Sequence, residues 1–434
     1  MHSYGQKLYP LRYWLFVAYG VGIPGFIDWG PAGHGIEHGL FNPYSILQII
    51  LTLGCGIALF LVTLSGGKAI SARPLAFRSA PLILLLLLLC VTSVLSPKDN
   101  VVLSIYRLLE WALGFLLFIS VYTREPLATA TALGTDIIGK ICWVCILLVL
   151  VFLVIDPPLA YQSIEEVTGA VQVRLGGAVI HPIRLGLMAA TAFWHTLFFG
   201  RRQWRSIGCS VALLTMLLAY SRIAWLGFVI NAVLYACLRR NVLARVITIF
   251  GAAISVPLGY VFSDKIISIL GRGEGTSNLT SLTGRTAIWA MARQAIARRP
   301  WVGYGYIDGV KNAMLRVQLT VWGQPGNLHN EVLQAIGGGG IIAGLLVLYI
   351  YSRLVRDSIR AARRSPEALF LLMVVVQLVL YASGGIILGT AILQPGAMLI
   401  VCLICTSELN ILSPVATRQA RHMAPLVRAR IEAA

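Results

Sequence analysis

Residues Asp136 to Ile155 read DIIGKICWVCILLVLVFLVI, and this stretch decides the fold class. A helix needs about 20 mainly apolar residues to cross a hydrocarbon core, and this run supplies them with no charge after Lys140. Similar runs recur near 11–29, 43–64, 79–96, 103–122, 181–199, 205–220, 222–238, 243–262, 332–352, 367–387 and 390–410. The apolar content lies in helix-length runs and not in short alternating strands, which excludes a transmembrane β-barrel. The expected fold is an all-α polytopic membrane protein with about twelve transmembrane helices. The first run follows Lys7 and Arg12 without a small-residue cleavage site and is expected to be retained. No inverted repeat of the transporter kind is visible.

Composition agrees with this reading. The chain has 434 residues, 58% hydrophobic and 12% charged, about half the charge of a soluble domain. With a mean hydropathy of +0.80, disorder, collagen, coiled coil and a secreted disulfide scaffold are all excluded. All eight cysteines fall inside apolar runs, including the C-x-x-C pairs Cys142/Cys145 and Cys402/Cys405. They read as small apolar residues, and no disulfide framework is expected.

The net charge of +18 is explained first by cytoplasmic loops, not by nucleic acid. Arginines and lysines cluster at 68–78, 201–205, 239–245 and 353–364, and again in the tail at 418–430. These clusters alternate as they should for about twelve spans with both termini inside. Residues 1–262 then hold transmembrane helices 1–9, 263–331 form a periplasmic segment, 332–411 hold helices 10–12, and 412–434 are a basic cytoplasmic tail. On the outer side also lies a short, acidic-leaning segment near 156–180. Within 263–331, the stretch Thr283 to Arg299 is an amphipathic basic helix stopped by Pro300. Such a helix lies in the membrane interface or packs on the membrane domain.

Several arginines break the charge rule. Arg107, Arg174, Arg184 and Arg222 stand at or near outer span ends, and Arg272, Arg285, Arg293, Arg298, Arg299 and Arg316 lie in the long outer segment. An arginine near hydrocarbon is costly and normally faces a polar cavity or a partner. Asp156, Glu165, Glu166, Asp264, Glu274, Asp308 and Glu331 are the outer acids that could pair some of them. For the group, an external anion is the better explanation, because guanidinium donors suit phosphate and several together suit pyrophosphate.

Among the histidines, His2, His195 and His422 read as structural. His34 and His38 have metal-pair spacing, but Gly33 and Gly35 argue against the helix it would need. His181 precedes Pro182 at an outer membrane edge and could line a cavity. His329, in GNLHNEVLQ, stands where the long outer segment re-enters the membrane. The sequence holds no Walker loop, no G-x-G-x-x-G after a strand, no G-x-S-x-G elbow and no D-x-D pair. Arginines would therefore have to neutralise a phosphate-linked donor.

A set of landmarks appears in order. LLAYSRIAWLG spans Leu217 to Gly227, TGRTAIW runs from Thr283 to Trp289, RRPWVGYGY from Arg298 to Tyr306, and LHNEVLQ from Leu328 to Gln334. Over about 217–345 the chain resembles the O-antigen ligase and polymerase superfamily, and within it the O-antigen ligase. The resemblance implies a GT-C-like, metal-independent, inverting glycosyltransferase of the bacterial inner membrane, needing no cofactor. Its partners would be an undecaprenyl pyrophosphate-linked polysaccharide, the lipid A-core oligosaccharide and membrane lipids. By that resemblance His329 matches the base, Arg222 and Arg285 match the pyrophosphate ligands, and Arg184 is a weaker match. Arg174, His181, Asn330 and Glu331 are further candidates, Glu331 as an alternative base. A Wzy-type polymerase and a protein O-oligosaccharyltransferase compete with the ligase. In another class, a lipid or sugar transporter would bind without chemistry.

Overall fold

A computed structural model describes residues 14, 15, 17, 54–58, 61, 73–95, 108, 127–165, 171–177, 180–238, 285–306, 310, 313, 328–362 and 366–384. The expected spans near 11–29, 43–64, 103–122, 243–262 and 390–410 lie outside the described residues except for isolated positions. So do Arg107, Arg272, Arg316, His34, His38 and the basic tail.

The other expected spans are all helical. They are α1 (Arg73–Leu95), α2 (Leu127–Ile155), α4 (Pro182–Phe199), α5 (Arg202–Ala219), α6 (Arg222–Leu238), α8 (Glu331–Ala362) and α9 (Pro366–Gly384). Between them come a single turn, α3 (Pro157–Ala160), and the outer-segment helix α7 (Arg285–Arg298). Gly134–Ile155 and Glu331–Ala362 are long and apolar enough to cross a membrane by length and composition. Ala80–Leu95, Arg222–Leu238 and Ala368–Gly384 are shorter apolar helices. Leu84, Leu87 and Val91 of α1, Leu214 and Leu218 of α5, and Leu226, Val229 and Val233 of α6 are all exposed. They recur at three- and four-residue spacing, so each helix turns an apolar stripe outward, which lipid rewards and water does not.

One element departs from the all-α expectation. Tyr161–Glu165 (β1) and Val171–Leu175 (β2) form an antiparallel pair, with Gln162 opposite Arg174. Five-residue strands fall below any scan for helix-length apolar runs.

Small residues set how closely the helices approach. A Cβ on Gly186 of α4 would lie 2.7 Å from the Ser221 Cβ and 3.1 Å from the Ala224 Cβ, so the starts of α4 and α6 nearly touch. Farther along α6, Asn231 donates from Nδ2 to the Met373 carbonyl of α9 at 2.9 Å. On the other flank of α4, Trp143 Nε1 of α2 donates to Thr196 Oγ1 at 3.0 Å. His195 is buried among Phe199, Phe370 and Gly139, as a structural histidine should be.

The run near 332–352 is helical but does not form one straight rod. Within α8 the backbone leaves helical geometry at Gly340, where φ is 76° and ψ −178°. The two arms turn back sharply there: the Ile336 side chain reaches the position a Cβ of Gly344 would take. Glu331 comes within electrostatic range of Tyr351, although a straight helix would hold them about 30 Å apart. The break frees backbone groups, and the PWVGYGY loop uses them. Tyr304 N donates to Gly337 O at 2.8 Å, Gly305 N to Gly338 O at 2.7 Å, and Ile341 N donates back to Pro300 O at 2.8 Å. Loop and broken helix thus satisfy each other's hydrogen bonds inside the structure, which a bilayer demands of any irregular backbone. Beside them Tyr306 N donates to Ser93 Oγ of α1 at 2.8 Å.

Candidate active site

The candidate residues stand at helix beginnings. Arg222 is the first residue of α6, Arg285 the first of α7, and Arg184 lies in the first turn of α4. His181 caps α4, its Nδ1 accepting from Ile183 N at 3.3 Å while its carbonyl accepts from Arg184 N and Leu185 N. That cap leaves the His181 proton on Nε2, making the ring a donor. Asn330 caps α8: its Oδ1 accepts from Leu333 N at 3.0 Å, and its Nδ2 donates to the Ser383 carbonyl of α9 at 3.4 Å.

His329 is held by its neighbours. It has a left-handed backbone, φ 47°, immediately ahead of α8. Leu328 before it is pinned twice: its N donates to Gln334 Oε1 at 3.1 Å, and its carbonyl accepts from Trp289 Nε1 of α7 at 2.9 Å. Trp289 therefore ties α7 to the histidine turn. Ala292 and Ala295 of α7 are buried, and Ile288 and Leu333 pack against the cluster of Ala292, Val310 and Leu328. Of the two expectations for this helix, packing on the protein describes that face, while Arg293, Arg298 and Arg299 are exposed on the other.

Electrostatics link these positions into one group. Arg285 feels both Tyr381 and Arg222; His329 feels Arg285; His181 feels Arg184 and His329. Burial first, with Arg222 adding to it against Tyr381, presses the Arg285 guanidinium below its usual value. Burial and then Arg285 lower the His329 imidazole to about 4. Burial, Arg184 and His329 lower His181 to about 4 as well. Both rings are consequently neutral at pH 7.

The starts of α4, α6, α7 and α8 thus meet where the arginines are. A helix start carries partial positive charge and unsatisfied N–H groups. Four of them, with three guanidiniums and two neutral imidazoles, make a site that favours an anion and keeps a proton acceptor beside it. Glu331 is fully buried in the first turn of α8, whereas His329 is half-buried. Arg174 is buried on β2, which ends at Leu175; the tight turn at Gly176 that follows packs on Pro182 at the start of α4. Tyr381 and Gly384, beside Arg285, are additions that the sequence did not mark.

Residues 207–348 match the family model described as O-Antigen ligase. The match supports an O-antigen ligase assignment for this segment. The matched segment runs from α5 into the second arm of α8 and encloses Arg222, Arg285, Asn330, Glu331 and His329. His181 and Arg184 come from α4, outside the matched segment, and the fold brings them to it. A comparison with curated proteins finds no match.

Proposed function

We propose that the protein is an inverting, metal-independent glycosyltransferase that moves O-antigen polysaccharide from undecaprenyl pyrophosphate to the lipid A-core oligosaccharide. The observation that carries the reading is the meeting of Arg222, Arg285 and His329, distant in sequence, at converging helix starts within an O-antigen ligase segment. Arg222 and Arg285, helped by Arg184, hold the pyrophosphate through paired donors. The acceptor hydroxyl oxygen attacks the anomeric carbon, and His329 takes its proton. The bond from that carbon to the pyrophosphate oxygen breaks on the opposite face, which inverts the configuration. Undecaprenyl pyrophosphate leaves already charged, so no general acid is needed. His181 gives the same anion a hydrogen bond from its Nε2–H, and Asn330 and Glu331 position the histidine turn. The positive clusters support a site on the periplasmic side of the inner membrane, with both termini cytoplasmic.

The test is transfer in proteoliposomes that contain donor lipid and core acceptor. A polysaccharide joined to the core supports the ligase. A longer chain still on the donor lipid would make the protein a Wzy-type polymerase acting through the same site. Donor binding with no new glycosidic bond would overturn the reading in favour of transport.

A further inference from the structure

Toward the arginine-rich end of α8, a cleft of about 960 Å3 opens between α8 and α9. That is near the upper end of the roughly 300–1,000 Å3 of small-ligand pockets. Leu348, Val355 and Ile359 of α8 and Val379 of α9 form its apolar walls, and Arg356 and Arg360 line it too. On a helix Leu348, Val355 and Ile359 form one stripe, and the two arginines sit one position beside it. From Leu348 to Arg360 the helix rises about 18 Å.

Both arginines keep donors for an anion. Arg356 is ion-paired through its Nε with Asp357 Oδ1 at 3.1 Å, which leaves its two Nη groups. Asp357 is shared with Arg353, whose Nε lies 3.6 Å from Oδ2. Among the described residues Arg360 has no acidic partner. Asp357 is the sole acid between Arg353 and Arg364, against five arginines. Tyr351 also lines the cleft, and its buried hydroxyl has no hydrogen-bond partner among the described residues. Leu348 and Ile359 stay substantially exposed. A free phosphate would neutralise the guanidiniums but leave this stripe uncovered.

We propose that the cleft binds an anionic diacyl phospholipid of the surrounding leaflet. Its acyl chains lie along Leu348, Val355, Ile359 and Val379, and its phosphate sits between Arg356 and Arg360. Basic pockets between spanning helices take anionic headgroups by this combination of charge and apolar cover.

The full-length protein, purified in detergent, is titrated with phosphatidylglycerol or with phosphatidylcholine, and bound lipid is counted by native mass spectrometry. Phosphatidylglycerol should bind selectively, and excess inorganic phosphate should not displace it. Arg356→Gln with Arg360→Gln should weaken that binding by roughly thirtyfold. Val355→Trp, which fills the apolar wall and keeps both charges, should weaken it as well. Equal binding of the two lipids, displacement by inorganic phosphate, or unchanged binding in either variant would overturn the proposal. Transfer activity is not the readout, so the result stands apart from the assignment of the site at His329.

Discussion

Arg285 Nη1 stands over Gly384, where a Cβ built on the glycine would lie 2.7 Å away. The Ile223 Cδ1 is equally close to the same point. The last residue of α9 is thus glycine because a guanidinium and a methyl group occupy its side-chain space. Gly384→Ala should push Arg285 aside and lower transfer by about 10- to 100-fold, the cost of misplacing a reacting or binding group by about an ångström. Insertion and expression should be unchanged. Transfer at the wild-type rate in Gly384→Ala would mean that the observed place of Arg285 is not the working one.

Arg222 and Arg285 differ from lysine in geometry, not in charge. If both grip the pyrophosphate, alanine at either position should nearly abolish transfer, and lysine should leave a fraction of it. Arg298→Ala and Arg299→Ala, at the exposed far end of α7, should be mild. Donor binding by the purified variants checks this directly, and full activity in Arg285→Ala would remove the anion site from this position.

If His329 is the base and the arginines hold the donor, His329→Ala should cost on the order of 10²–10⁴ in rate while the donor still binds. The pH profile tests the same assignment. A base works unprotonated, and burial with the Arg285 charge lowers His329 to about 4. As pH falls, kcat/KM should therefore stay level past 6.5 and decline only near that lower value. An ordinary histidine would show the decline at about 6.5. In Arg285→Gln one of the two causes is removed, so the decline of the residual activity should move to higher pH.

The break in α8 can be tested by stability. At Gly340 a Cβ would collide with the Trp301 carbonyl, and φ is already left-handed. Gly340→Ala should destabilise by at least about 1–3 kcal/mol. Gly303→Ala, with φ 64° and a Cβ 2.7 Å from Gly337 O, should behave similarly. Gly338→Ala is the contrast: its nearest neighbour, Leu89 Cδ2, is 3.4 Å away, so the change should be close to neutral. Thermal unfolding in detergent reads all three, and equal melting of Gly340→Ala and Gly338→Ala would contradict the interlocked loop.

Sidedness follows from charge. Single cysteines placed at Ser277 and Ser365, in a background without other cysteines, should label from opposite faces of the membrane. Labelling from one face alone would move the site to the wrong side for a periplasmic transfer.

Apolar length and charge are properties of single stretches, so the sequence alone determined the membrane class, the seven described helical runs and the arginines out of place. The motif pieces around Arg222, Arg285 and His329 were legible for the same reason: each is a short string. Their meeting was not. It depends on Gly186 letting α4 reach α6, on Gly384 leaving room for Arg285, and on Trp289 tying α7 to Leu328. The β1–β2 hairpin was too short to register as a run, and the turn at Gly340 looked like the middle of one apolar span. That turn exists because Pro300, Tyr304 and Gly305 supply the hydrogen bonds the helix gives up. A partner so far away in the chain leaves no trace in local periodicity, and only tertiary packing decides whether it arrives.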